Sequence, residues 1–259
     1  LNAFGDSGPW EKMPGYEEVA QALTGMQVRY GGKEKPTLWP YGVVNDYGTG
    51  FAGAYGVLMA LLTRAETAEG QHVTSALART ACLLQSTYLQ DYDGKVWDEP
   101  QGPNTLGFGP LQRLYQCQDG WIYLGAKTSS EVAGLINTTV NDQLEDKIVH
   151  WCANHTTEGT LQHLSTDTIA VHKLTWLNEF ASDPALQARK LIVTREHQKL
   201  GLMRTTGPGQ WFSSSKIHAG RPAPLPGSDA KSILDEIHMQ NFDELVASGA
   251  VKIPQERKQ

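Results

Sequence analysis

The chain has 259 residues, of which 40% are hydrophobic and 19% charged, enough apolar material for the core of a soluble globular protein of one large domain or two small ones. Its 22 basic and 28 acidic residues sum to −6 and the basic ones form no stripe, which disfavours general nucleic-acid binding. The longest uncharged run, Tyr47 to Thr63, is broken by four glycines and falls short of the ~20 apolar residues of a membrane span; with no charged and then apolar leader at Leu1 and three widely spaced cysteines, the cytoplasm is the expected compartment.

From Leu1 to Gly50, glycine, proline and aromatic residues predict loops around a short helix, Tyr16 to Leu23, flanked by Pro14-Gly15 and Gly25. The run Tyr41-Gly42-Val43-Val44-Asn45-Asp46 predicts a brief strand or extended segment closed by two residue types that favour helix N-caps. Gly48-Thr49-Gly50 then reads as a turn, and Phe51 to Leu62 as a buried helix, apolar all round, whose Ala52, Gly53, Ala54, Gly56 and Ala60 suit close backbone packing. A second long helix is expected over Val73 to Leu89, with Leu77, Ala81, Leu84 and Tyr88 on one stripe. Asp91 to Pro110 has the composition of a loop crossing between domains. Leu114 to Cys117 and Trp121 to Gly125 flank Gln118-Asp119-Gly120, a hairpin signal. Helices follow at Ser130 to Asn137, Asn141 to Ala153 and Thr157 to Leu164. Asp183-Pro184 starts a helix to about Ala188, strands are expected at Leu191 to Thr194 and Leu202 to Thr206, and helices at Asp229 to Ile237 and Phe242 to Ser248 end the chain. The expected division is a catalytic part of a large domain over 1–95, a small α+β domain over 96–182, and a return to the large domain over 183–259.

Cys152 and His155 stand three apart near His150 and His163, yet the sequence holds neither Cys-x-x-Cys nor His-Glu-x-x-His, so no metal site is expected. A phosphate-binding Gly-x-x-x-x-Gly-Lys loop and a Gly-x-Ser-x-Gly elbow are also missing, which removes the usual nucleotide-hydrolase and esterase readings. Asp46, between an extended run and a glycine-flanked turn, reads on local grounds as a helix N-cap.

A series of ordered motifs carries more. Asn2-Ala3-Phe4-Gly5 through Gly8-Pro9, Pro14-Gly15-Tyr16-Glu17-Glu18-Val19-Ala20-Gln21-Ala22-Leu23-Thr24-Gly25, and Asn45-Asp46-Tyr47-Gly48-Thr49-Gly50 come first. Ala60-Leu61-Leu62-Thr63-Arg64 leads on to Gly70-Gln71-His72-Val73. Asp119-Gly120-Trp121-Ile122, Asp183-Pro184 with Ala188-Arg189, and Arg221-Pro222-Ala223-Pro224 with Gly227 close the series. In this order they resemble the class III CoA-transferases, the family of formyl-CoA transferase, carnitine CoA-transferase and α-methylacyl-CoA racemase, over nearly the whole chain.

The resemblance implies an α/β class III CoA-transferase fold, here part of a Rossmann-like large domain plus a small α+β domain. It implies that Asp46 is the nucleophile that opens an acyl-CoA thioester, passing CoA to a carboxylic acid through an aspartyl anhydride and an aspartyl-CoA intermediate. Coenzyme A enters as a cosubstrate, no tightly bound cofactor is implied, and the family's subunits interlock as a homodimer. Tyr16 and Glu17 match positions lining the acyl end of the pocket, and Gln21 and Arg29 are candidates for orienting substrate or CoA. Leu106-Gly107-Phe108-Gly109-Pro110 looks like a shortened form of a mobile glycine run, with Gly107 and Gly109 bringing backbone N–H groups to the substrate; beside Pro103 and Pro110 the same glycines also serve as plain turn residues. Racemases of the family carry a histidine base where Tyr16 stands, and a phenol of pKa ~10 is a poor base at neutral pH, which argues against racemisation. Family members begin with a further Rossmann-like segment that supplies much of the CoA adenine and phosphate site. Ahead of Leu1 that segment would have been cut away, be carried by another chain or be lost, and an inactive family member is a further alternative.

Overall fold

A computed structural model describes residues 1–39, 43–99 and 101–254. Tyr41 and Gly42, the start of the expected extended run, and Pro100 of the expected loop lie outside the described residues. The chain forms two compact units, Leu1–Lys173 and Leu174–Gln259.

The first unit opens with four helices, α1 (Glu17–Leu23), α2 (Met26–Gly31), α3 (Val44–Thr67) and α4 (Leu77–Leu84). Here α3 begins at Val44, ahead of the expected turn, and runs straight through Gly48-Thr49-Gly50. Asn45 and Asp46 are therefore not caps; they occupy the second and third helical positions after Val43, whose own side chain makes no capping bond. The cap comes from another helix: the Glu17 carboxylate of α1 accepts the Asp46 N–H at 2.8 Å. An acceptor supplied from so far along the chain leaves no local sequence signal.

Nor is α3 enclosed on all sides, as its composition predicts. It packs through a narrow stripe of small and polar residues, with Asn45, Thr49 and Gly53 buried. A Cβ at Gly48 would stand 2.6 Å from Thr80 Cγ2, and one at Gly56 2.7 Å from Val73 Cγ1. Thr49 and Thr80 share a hydroxyl hydrogen bond at 2.7 Å between α3 and α4, and Ser75 donates to the Thr49 carbonyl at 3.2 Å. The large residues Tyr47, Phe51, Tyr55, Leu58 and Leu62 face outward. The second helix is also shorter than expected. Residues before Leu77 are held in extended pairing by the amino-terminal segment, with Asn2 N donating to the Ser75 carbonyl at 3.1 Å and Leu77 N to the Asn2 carbonyl at 3.1 Å. Beyond Leu84, the Gln85 amide donates to the Thr24 carbonyl at 3.0 Å and so ties the end of α4 to the end of α1.

The same unit continues with a four-stranded antiparallel sheet of β1 (Gly107–Gly109), β2 (Gln112–Gln116), β3 (Trp121–Ala126) and β4 (Ile169–Lys173), in that order. Between β3 and β4 lie α5 (Ser129–Leu135), α6 (Leu144–Ala153) and α7 (Thr157–Leu164). The expected hairpin forms, pairing Tyr115 with Ile122 and Leu114 with Tyr123. Alternation along β3 sends Ile122, Leu124 and Ala126 into the core and leaves Tyr123 exposed. Those side chains meet Ile148, Cys152, Leu164 and Ile169 in one apolar cluster, each large member contributing about 1.5–3 kcal/mol by burial. Thr156 caps α7 by accepting the Gly159 N–H at 3.1 Å. Cys117 and Cys152 are buried in this core, where burial first and then the neighbouring Cys117 push the Cys152 thiol up to about 12; Cys82 on α4 is exposed.

The second unit contains α8 (Leu177–Ser182), α9 (Pro184–Ala188), β5 (Ile192–His197), β6 (Gly201–Thr206), α10 (Ala230–Glu236) and α11 (Phe242–Ala247). Asp183 caps α9 by accepting the Ala185 N–H at 2.7 Å, and β5 and β6 form an antiparallel hairpin. Among the described residues of this unit, Ile192 is the one buried apolar side chain. No helix among the described residues is long and apolar enough to cross a membrane.

Candidate active site

The start of α3 rests on a buried polar platform. Glu17, the first residue of α1, is 3% exposed, and Gln21, one turn later, is 0% exposed. Three donors converge on the Glu17 carboxylate: Gln21 Nε2 at 2.9 Å and Asn45 Nδ2 at 2.8 Å on Oε1, and the Asp46 N–H at 2.8 Å on Oε2. Each exchange of water for these donors costs a buried group its hydration, which the three bonds to Glu17 offset, while Asn45 Oδ1 is buried without a hydrogen-bond partner among the described residues. Asn45 also places Nδ2 3.5 Å from Met26 Sδ on α2.

Above this platform the geometry inverts. Asp46 is exposed, and so are its neighbours Tyr47 and Tyr16, the N-cap residue of α1. The Asp46 carboxyl is held above the usual carboxylate range, first by partial loss of hydration against the platform, then by the negative charges of Glu17 and Glu18. The amino-terminal end of a 24-residue helix opposes this by favouring the anion. The arrangement presents one accessible carboxylate, fixed at its backbone.

The structure thus brings together three of the residues singled out from sequence, Glu17, Gln21 and Asp46, with Tyr16 next to Glu17 in the chain. Glu17 and Gln21 face inward, under Asp46. Gly107 and Gly109 lie elsewhere, in edge strand β1, whose partner is β2. A Cβ at Gly107 would stand 2.1 Å from the Gln112 carbonyl oxygen, so that glycine is required by strand pairing. Gly109, at φ +148°, has open space beside it. Arg29 is engaged already, its guanidinium 3.6 Å above the Tyr88 ring and 4.0 Å from Glu99. Asn45 was not singled out beyond its capping propensity; an asparagine directly before the candidate nucleophile was the available signal. Among the described residues, no group of three or more histidine, cysteine, aspartate or glutamate side chains can hold a metal ion.

Residues 1–230 match the family described as CoA-transferase family III. L-carnitine CoA-transferase of Proteus mirabilis (strain HI4320) is 25% identical over 289 residues, covering 98% of this chain and 69% of that protein. Formyl-CoA:oxalate CoA-transferase of Rhodopseudomonas palustris (strain HaA2) is 27% identical over 305 residues, covering 100% of this chain and 70% of that one. A solved CAIB/BAIF family protein from Brucella suis superposes with a TM-score of 0.72 at 17% identity, over 91% of this chain and 66% of that one. A Mycobacterium tuberculosis protein in an orthorhombic crystal form gives 0.70 at 20% identity, over 88% and 65%. The chain therefore has the α/β fold of these structures and spans about two thirds of their length. By the match over residues 1–230, this chain belongs to CoA-transferase family III.

Proposed function

We propose that this chain carries the nucleophile of a CoA-transferase that moves CoA from an acyl-CoA thioester to a carboxylic acid, and that the nucleophile is Asp46. The observation that carries the reading is an exposed carboxyl whose own backbone N–H is pinned by a buried carboxylate. A carboxylate oxygen of Asp46 attacks the thioester carbonyl, the C–S bond breaks, and CoA leaves as the thiolate, giving a mixed anhydride. The thiolate then attacks the Asp46 carbonyl and expels the first acid, leaving an aspartyl-CoA thioester. The acceptor carboxylate attacks that thioester and frees the thiolate again. Attack of the thiolate on the acceptor's carbonyl releases the new acyl-CoA and restores Asp46. Each tetrahedral oxyanion needs hydrogen-bond donors close by. Tyr16, exposed at the start of α1, is the residue proposed to line the acyl end, and a homodimer is the proposed assembly.

The test is mass spectrometry of the protein after incubation with an acyl-CoA and hydroxylamine. A hydroxamate at Asp46, lost in Asp46→Asn, is expected. An unmodified Asp46 in folded protein that binds CoA would defeat the reading.

A further inference from the structure

Gln21 is wholly enclosed beneath the Asp46 turn, and both ends of its amide are used. Its Nε2 donates to Glu17 Oε1 at 2.9 Å, and its Oε1 accepts the backbone N–H of Trp39 at 3.0 Å. Trp39 lies in the stretch that joins α2 to α3, with its indole 5.2 Å from the Tyr30 ring of α2. Three hydrogen bonds thus run from the Trp39 N–H through Gln21 and Glu17 to the Asp46 N–H. The two backbone ends of this path bracket the entry into α3.

The neutral amide suits this position. It must donate on one side and accept on the other, which an ionised carboxylate cannot do and an apolar side chain of the same length cannot do at all. Its full burial also separates it from any ligand. We infer that Gln21 is a positioning residue for the Asp46 nucleophile: it fixes the Glu17 carboxylate with one oxygen turned to the Asp46 N–H and ties the Trp39 backbone to the same point. The inference rests on the reading of Asp46 as nucleophile and replaces a substrate contact for Gln21 with an action through Glu17.

The decisive variant is Gln21→Glu, which preserves shape. At this position it sets a second carboxyl against Glu17, with Glu18 on the same helix and Asp46 across from it on α3. Two carboxylates in hydrogen-bond contact cannot both ionise readily, so they share a proton in acidic buffer and lose it as pH rises. In the shared state the new residue donates as the amide did. Hydroxylamine trapping of Asp46 in the variant is therefore expected near the wild-type rate in mildly acidic buffer and slower by about tenfold to a hundredfold in mildly alkaline buffer. The acyl-CoA concentration for half-maximal trapping should stay unchanged. Gln21→Met, which keeps volume without polarity, is expected to be slow at every pH. Wild-type rates in both folded variants, across the pH range, would overturn the inference. If wild-type protein yields no hydroxamate, the nucleophile reading fails separately. Hydrogen exchange of the Asp46 amide then decides the positioning alone: faster exchange in Gln21→Met shows that Gln21 fixes the Asp46 turn, and an unchanged rate overturns the inference.

Discussion

The two halves of the first unit solve the packing problem by different means. Around β2, β3 and β4, burial is apolar, with Ile122, Leu124, Ile148, Leu164 and Ile169 all at 0–1% exposure. Around α1, α3 and α4, the buried residues include Glu17, Gln21, Asn45, Thr49, Ser75, Thr80 and Gln85, while α3 turns its largest apolar side chains outward. A core of dispersion contacts spreads its stabilisation over many atoms and tolerates a change of shape. A core of hydrogen bonds depends on individual donors and acceptors, since each orphaned group costs about 1–3 kcal/mol. The helical half gives up tolerance for fixed backbone geometry at Asp46.

The sharpest break in this contrast is at the nucleophile. Asp46→Asn keeps the helix and the Glu17 bond to its backbone, yet should lower acyl trapping by about a thousandfold or more, because the amide is not a nucleophile of comparable strength. In the sheet, Leu124→Ala should cost about 2–5 kcal/mol in chemical unfolding while leaving trapping by folded protein unchanged. Glu17→Ala is expected to cost about 1–3 kcal/mol for each orphaned donor and also to slow trapping, so it links stability to chemistry where the sheet variant does not. Glu17→Gln removes the charge but leaves one oxygen to accept, so its NH2 faces either the Asp46 N–H or the Gln21 and Asn45 amides. The ionised form of Asp46 is the nucleophile, and Glu17 is one of the charges that raise its proton affinity. Removing that charge lowers the affinity, so the acid limb of the trapping rate should move to lower pH. The smallest effects lie along α3. Gly50→Ala meets open space and should stabilise by about 1 kcal/mol, whereas Gly48→Ala drives a methyl group toward Thr80, which its bond to Thr49 holds in place, and should destabilise.

The same contrast explains what could be read in advance. The hairpin at Gln118-Asp119-Gly120 was legible because turn chemistry is a local signal, and the helix Thr157–Leu164, expected over the same residues, has a cap that is local as well. The entry into α3 was not, because its cap arrives from Glu17 and its inner face is written in glycine, threonine and asparagine. Extended pairing with Asn2 likewise shortened α4 against its own apolar stripe. The motifs pointed to Asp46 and to the residues around it, and family likeness supplied what periodicity does not carry. The division of labour by which Glu17 and Gln21 lie beneath the carboxylate is visible only in three dimensions.

One consequence follows from where the sulfur atoms lie. Cys82 is exposed on α4, whereas Cys117 and Cys152 are sealed in the sheet core and the Cys152 thiol stays protonated at neutral pH. A maleimide dye should therefore attach at a single natural position beside the polar half, with no engineering. Slow uptake of a second and third equivalent would time the opening of the apolar half.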